Sequence, residues 1–217
     1  MNIEIARFNM IEQQIRPWDV LDQDVLDLLS QVKREEFVPA AYRSLAFVDT
    51  EIPLPGGEFM FAPKLEARLL QELAVRPHEI ALEIGTGSGY MAALLAHQAR
   101  RVTSIELAPA LCQLAQDNLM RARIANVTVT EGDGGRGWAA AGEVDVMMVS
   151  GSLPFVPETI LRQLRTGGRL AVIVGEAPVM EAQIITRTAG EDWETRTLFE
   201  TFAKPLHNTL QPSRFRF

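Results

Sequence analysis

Glu83-Ile84-Gly85-Thr86-Gly87-Ser88-Gly89-Tyr90 decides how this 217-residue chain folds. An apolar run, Ile80-Ala81-Leu82, leads into it, and three glycines then arrive at alternate positions. A helical stretch follows from Met91 to His97. Strand, glycine-rich turn and helix in that order open a βαβ unit of a parallel sheet. In an open α/β sheet, ligands sit beyond the carboxyl ends of the strands, so the turn is expected at a binding edge. The glycines let the backbone turn sharply and approach a ligand closely.

Outward from this turn the alternation continues. Strands are expected at 102–106, 127–130, 144–149 and 170–174, with helices at 109–123 and 158–164. Leu111, Leu114, Ala115 and Leu119 would face inward on the first of those helices. The runs at 144–149 and 170–174 are almost continuously apolar, as central parallel strands covered on both faces should be. Residues 182–188 and 193–202 read as a hairpin that adds an antiparallel edge. Upstream, Asp22 is placed to cap a helix bearing Val25, Leu26, Leu28, Leu29 and Val32, and Pro39 closes that region. Residues 52–57, with two prolines and two glycines, read as a loop. Pro63 opens a helix striped with Leu65, Leu69, Leu70 and Leu73. The expected fold is α/β and Rossmann-like: a seven-stranded mixed sheet with helices on both faces and an N-terminal helical extension. Two parts are expected, an N-terminal helical region with a substrate loop (1–62) and a ligand-binding domain ending in a β-hairpin (63–217).

Composition narrows the function. Hydrophobic residues make up 47% and charged residues 23%, ordinary values for a globular protein. Lys and Arg total 21 against 28 Asp and Glu, a net charge of -7, without the basic footprint of a nucleic-acid binder. Cys112 is the single cysteine, so no intramolecular disulfide can form, and it is expected to pack as a small hydrophobe. No apolar run is long enough for a membrane span, and the N-terminus lacks a signal-peptide core. A cytoplasmic protein is expected. His78, His97 and His207 lack ligand spacing, so no metal is expected, and they read as surface or helix-end residues. The Arg214-Phe215-Arg216-Phe217 tail carries no readable role.

The ligand is narrowed by spacing. The dinucleotide fingerprint is G-x-G-x-x-G, whereas Gly85, Gly87 and Gly89 give G-x-G-x-G, and no phosphate-binding lysine follows. S-adenosylmethionine carries no phosphate and suits such a turn. Glu106 ends the second strand twenty-one residues after Gly85, where an acidic residue hydrogen-bonds ribose hydroxyls. Asp133, within Glu131-Gly132-Asp133-Gly134-Gly135, falls where an adenine amino group would arrive.

Ala81 to Tyr90, Ser104-Ile105-Glu106, Gly132-Asp133-Gly134 and Leu164 to Leu170 together resemble the protein-L-isoaspartate O-methyltransferase family. Val32-Lys33-Arg34-Glu35-Glu36-Phe37-Val38-Pro39 is similar to the stretch that precedes that family's substrate loop. The resemblance covers about residues 20–175. It implies a class I methyltransferase fold and an S-adenosyl-L-methionine site at Glu83, Gly85, Thr86, Gly87, Ser88, Gly89, Glu106, Leu107, Asp133 and Gly134. The substrate segment would be Glu58, Phe59, Met60, Phe61 and Ala62, with no catalytic side chain assigned. There the chain departs from the family's usual Gln-Thr-Ile-Ser: Glu58 stands at the glutamine and Phe61 at the serine. Phe61 cannot donate a hydrogen bond, and a buried Glu58 would repel a carboxylate acceptor. Phe59, Met60 and Phe61 would either close an apolar lid or pack into the core. Pro205-Leu206-His207 falls near the family's peptide-binding segment. The acceptor is thus an isoaspartyl carboxylate in protein or peptide, or alternatively a small molecule with an apolar portion. A third reading is a module that binds the cofactor without turnover.

Overall fold

The computed structural model describes residues 2–212, so the Arg214–Phe217 tail lies outside the described residues. Helix α1 (Ile3–Met10) starts at Asn2, whose side chain accepts from the Glu4 and Ile5 amides. Helix α2 (Gln23–Gln31) starts at Asp22, which caps the Asp24 amide as its position anticipates. The segment expected to be a loop is partly paired: β1 (Ile52–Pro53) lies antiparallel to β2 (Phe59–Met60). Pro55–Gly57 forms the turn between them, with Gly56 and Gly57 at positive φ, and the Leu54 amide closes it on the Glu58 carbonyl at 2.7 Å. Helix α3 (Pro63–Leu73) follows, with Ala62 at its N-cap and proline in the first turn.

The alternating region then runs β3 (Ile80–Ile84), α4 (Tyr90–Gln98), β4 (Arg101–Glu106), α5 (Pro109–Arg121), β5 (Val127–Glu131), β6 (Val144–Leu153), α6 (Glu158–Leu161), β7 (Leu164–Glu176), β8 (Val179–Ala189) and β9 (Asp192–Thr201). Helix α6 is shorter than expected because Leu164 already pairs with Val144 at the start of β7. The seven strands lie in the order β5-β4-β3-β6-β7-β8-β9. The first five are parallel, and β8 and β9 add the expected antiparallel edge.

Alternation along the strands separates two apolar layers. Ala81, Val102, Val146, Met148, Ala171 and Ile173 face the layer that also receives α2, α3, α4 and the N-terminal residues Met10 and Ile15. Leu82, Ile105, Met147, Val149, Leu170 and Val172 face the other, with Ile160 of α6 and Trp138. Chain order reverses between β3 and β6, and a crevice opens at such a switch point.

Two buried polar groups hold the elements around that crevice. Arg34 is 1% exposed and donates to the Ala46 carbonyl at 3.1 Å, the Phe61 carbonyl at 2.7 Å and the Glu66 carboxylate. It also lies over the Tyr90 ring, 5.1 Å from its centroid. On β3, the fully buried Glu83 accepts from Ser104 of β4 at 2.6 Å and from Ser150 of β6 at 2.9 Å, tying the three central strands. Burial pushes its carboxyl up to about 8, the serine donors opposing this only in part.

Arg34→Met leaves Glu66 buried without its partner, and urea unfolding should show a loss of about 3–5 kcal/mol. The pH response of Glu83 has a definite sign. Below pH 4.5 its carboxyl is protonated in both folded and unfolded chains. Between 4.5 and about 8 the folded chain keeps a proton that the unfolded chain releases, so stability falls as pH rises through that window. Unfolding free energies at pH 5.5 and 8.5 should fall further in the parent than in Glu83→Gln, by on the order of a few kcal/mol.

Candidate active site

The loops after β3, β4 and β5 and the last residues of β6 meet the β1–β2 turn and the segment after β9 around one cleft of about 240 Å³. Local geometry sets its floor. Gly85 has φ 92°, and a Cβ there would sit 2.9 Å from the Ser150 carbonyl oxygen, so only glycine passes without displacing β6. The Gly85 amide bonds the Ile105 carbonyl at 2.8 Å, which fastens the turn to β4. The Glu106 carboxylate then accepts from the Gly87 amide at 2.8 Å and the Ala108 amide at 3.0 Å. Each carboxylate oxygen keeps a second acceptor direction. The two amides hold the carboxylate in place at the cleft wall, with acceptor capacity left on both oxygens.

The ten expected cofactor residues fall into three places. Gly85, Gly87, Glu106, Leu107, Asp133 and Gly134 line the cleft. Glu83, Thr86 and Ser88 lie buried around a small void of about 30 Å³ beside it. Thr86 shares a 2.5 Å hydrogen bond with Ser104. Gly89 touches neither space: at φ 84° it lets α4 start against Ala115 of α5, 3.3 Å from where a Cβ would be. Asp133 is exposed and uses its oxygens on the Gly135 amide (3.0 Å) and the Asn208 side chain (2.8 Å), keeping acceptor capacity on both.

The substrate segment also divides. Glu58, Phe59 and Phe61 line the cleft, Met60 is buried against the small void, and Ala62 serves as the α3 N-cap. Phe59 is 44% exposed, whereas Phe61 is 7% exposed and fixed through its carbonyl by Arg34. The three residues thus do both jobs, part wall and part core.

Glu58 differs from its sequence reading. It is half-buried, not buried, and its Oε1 accepts from Lys204 Nζ at 2.5 Å and His207 Nε2 at 2.9 Å. Burial works to raise its carboxyl, but His207 and Lys204 outweigh that and hold it below the usual carboxylate range. The repulsion expected of an isolated carboxylate is therefore largely neutralised. His207 accordingly belongs to the cleft wall and is not merely a surface residue. Cys112 is buried, and burial pushes its thiol up, consistent with packing and not with reactivity.

Lys204, Ser150 and Glu51 also line the cleft and had no signal in the sequence. Ser152 explains how Lys204 arrives there. Its amide donates to the Lys204 carbonyl at 3.0 Å, its carbonyl accepts from the Leu206 amide at 2.9 Å, and its hydroxyl donates to the Ala203 carbonyl at 2.9 Å. The segment after β9 is thereby fastened to the end of β6. Among the described residues, no group of three or more His, Cys, Asp or Glu side chains is arranged to hold a metal. No helix among them is long and apolar enough to cross a membrane.

Comparison with known proteins agrees with this geometry. The family model for protein-L-isoaspartate(D-aspartate) O-methyltransferase matches residues 6–209. The Herpetosiphon aurantiacus protein-L-isoaspartate O-methyltransferase is 36% identical, covering 92% of this chain and 89% of that one. A Pelobacter propionicus protein of that name is 38% identical, over 88% and 85% of the two chains. A solved protein-L-isoaspartate O-methyltransferase superposes with a TM-score of 0.81 at 26% identity, over 94% of this chain and 67% of that one. A Plasmodium falciparum chain bearing the family's name, solved with S-adenosyl-L-homocysteine, shares the fold at a TM-score of 0.81 and 20% identity, over 96% and 100%. With its glycine turn, its seven-stranded sheet and nearly its whole length matched, the chain belongs to the protein-L-isoaspartate(D-aspartate) O-methyltransferase family.

Proposed function

We propose that this chain uses S-adenosylmethionine to methylate the free carboxylate of isoaspartyl residues in proteins and peptides. The observation that carries the reading is the Glu106 carboxylate, posed by the Gly87 and Ala108 amides over the same cleft that the β1–β2 turn and the segment after β9 close. Family membership supplies the acceptor class. Glu106 would accept from the ribose hydroxyls, Asp133 from the adenine amino group, and Gly85 and Gly87 would let the backbone lie against the cofactor.

When bound, S-adenosylmethionine supplies a methyl group on a sulfonium; the acceptor oxygen gains a C–O bond as the C–S bond breaks, and a thioether leaves. A carboxylate is ionised at pH 7, so the reaction needs no general base. The protein's contribution is orientation and exclusion of water. Phe59 and Phe61 form the apolar part of the wall, and the Glu58–Lys204–His207 cluster forms its polar part. The domain-level reading follows: residues 1–62 cover and complete an acceptor wall, and residues 63–217 carry the cofactor.

The exposed Phe59 ring favours a second reading, in which the acceptor is a small molecule with an apolar portion. One experiment separates the readings. Labelled S-adenosylmethionine and a peptide containing one isoaspartyl linkage should yield a labelled, base-labile ester, while the aspartyl form of the peptide stays unlabelled. No ester from the isoaspartyl peptide, with cofactor binding intact, would leave the apolar acceptor or a non-catalytic binder. Calorimetry with S-adenosylhomocysteine checks the cofactor site: Glu106→Gln should weaken binding by about tenfold or more, because charged hydrogen bonds become neutral.

A further inference from the structure

We infer that the Lys204 ammonium is the group that recognises the acceptor's carboxylate. The inference rests on the carboxyl-methylating reading above and names a specificity determinant for it. A carboxylate entering this cleft meets Glu51, Glu58, Glu106 and Asp133 along its walls. Four acidic side chains make an anion costly to hold unless a cation faces it. Among the described residues, Lys204 is the one lysine or arginine that lines the cleft. His207, the other basic residue there, is cationic only when protonated.

The bonding of the ammonium leaves it available. It donates to the Gly57 carbonyl at 2.9 Å and to Glu58 Oε1 at 2.5 Å. A lysine has three protons to donate, so one remains for a ligand. Its backbone carbonyl is held by the Ser152 amide at 3.0 Å, and its two hydrogen bonds place the half-exposed ammonium on the wall, within reach of a ligand. Phe61, across the wall, has no hydrogen-bond donor to offer in its place. With one acceptor oxygen on Lys204, the other is left free to take the methyl group. Glu58 keeps the ammonium in register while the cleft is empty and competes with the acceptor once it enters.

Steady-state kinetics with an isoaspartyl peptide, together with S-adenosylhomocysteine affinity and thermal melting, test this. Lys204→Met should raise the peptide KM about tenfold or more, with kcat changed far less and S-adenosylhomocysteine affinity unchanged. Lys204→Gln keeps a donor for the Gly57 carbonyl but no charge, and should behave like Lys204→Met. Lys204→Arg should restore most of the affinity. Glu58→Gln, which removes the carboxylate that competes with the acceptor for the ammonium, should lower KM below the parent value. A tether with no recognition role predicts instead that Glu58→Gln and Lys204→Met raise KM alike, or that Lys204→Gln resembles the parent; either result overturns the inference. If the parent esterifies the peptide and Lys204→Met keeps its KM within about twofold, the role of the lysine fails while the family reading stands. If the parent forms no ester at all, the family reading itself has failed and this inference goes with it.

Discussion

The Arg34 guanidinium is the interaction on which the acceptor side of this molecule depends. It joins a carbonyl at residue 46, a carbonyl at residue 61 and a carboxylate at residue 66, none adjacent to it in sequence. A buried charge of this kind is tolerated only when every donor finds a partner. Here that requirement fixes the path of the chain from α2 to α3. The β1–β2 turn must approach the sheet, because Phe61 has to present its carbonyl to the guanidinium while its ring faces the cleft. A second buried ion pair, Arg7 with Glu35, lies one residue along and draws α1 into the same core, with Arg7 Nε and Glu35 Oε2 left without partners. The α1 residues are thus joined to the segment after α2 by a buried ion pair, and to the sheet by the shared apolar layer.

Much of the sheet half was legible in the sequence because its determinants are local. The glycine turn, the acidic residue at the end of β4 and the apolar runs of β6 and β7 each report their structure within a window of about ten residues. The hairpin of β8 and β9 announced itself through Ala189-Gly190-Glu191-Asp192. The acceptor half was less legible, for an equally physical reason. A two-residue strand pair such as Ile52–Pro53 with Phe59–Met60 has no periodicity to detect, and its prolines and glycines argue for a loop. Glu58 read alone is a carboxylate that should repel. Its partners Lys204 and His207 lie 146 and 149 residues away, and only the folded sheet brings them together. The Val32–Pro39 segment was recognisable as a pattern, but its reason, the three-way bonding of Arg34, required the fold.

The cleft shows two strategies for placing charge. Glu106 is braced by backbone amides, which cannot wander and carry no competing net charge, so its remaining acceptor capacity stays in one place on the cleft wall. Lys204 is braced by another side chain, and the Glu58–Lys204 pair carries little net charge until an anion arrives. The first arrangement suits a ligand of one fixed shape. The second suits acceptors that share one charged group and differ elsewhere, as the proposed isoaspartyl residues in different peptides would. The partly exposed Phe59 beside it can take varied neighbours without demanding a hydrogen bond.

The bridge from Ser152 to the segment after β9 has a consequence for the order in which the cleft comes into being. The cofactor floor is built from strands that are near neighbours along the chain, whereas the cation of the acceptor wall arrives through a contact spanning 146 residues. Pairings of such long range close late, since the entropy of a long loop must be overcome before they bring any gain. The cofactor floor can therefore assemble before the opposite wall closes over it. Because only a few backbone bonds hold that wall, the native molecule should revisit the same open form by local fluctuation without disturbing the sheet.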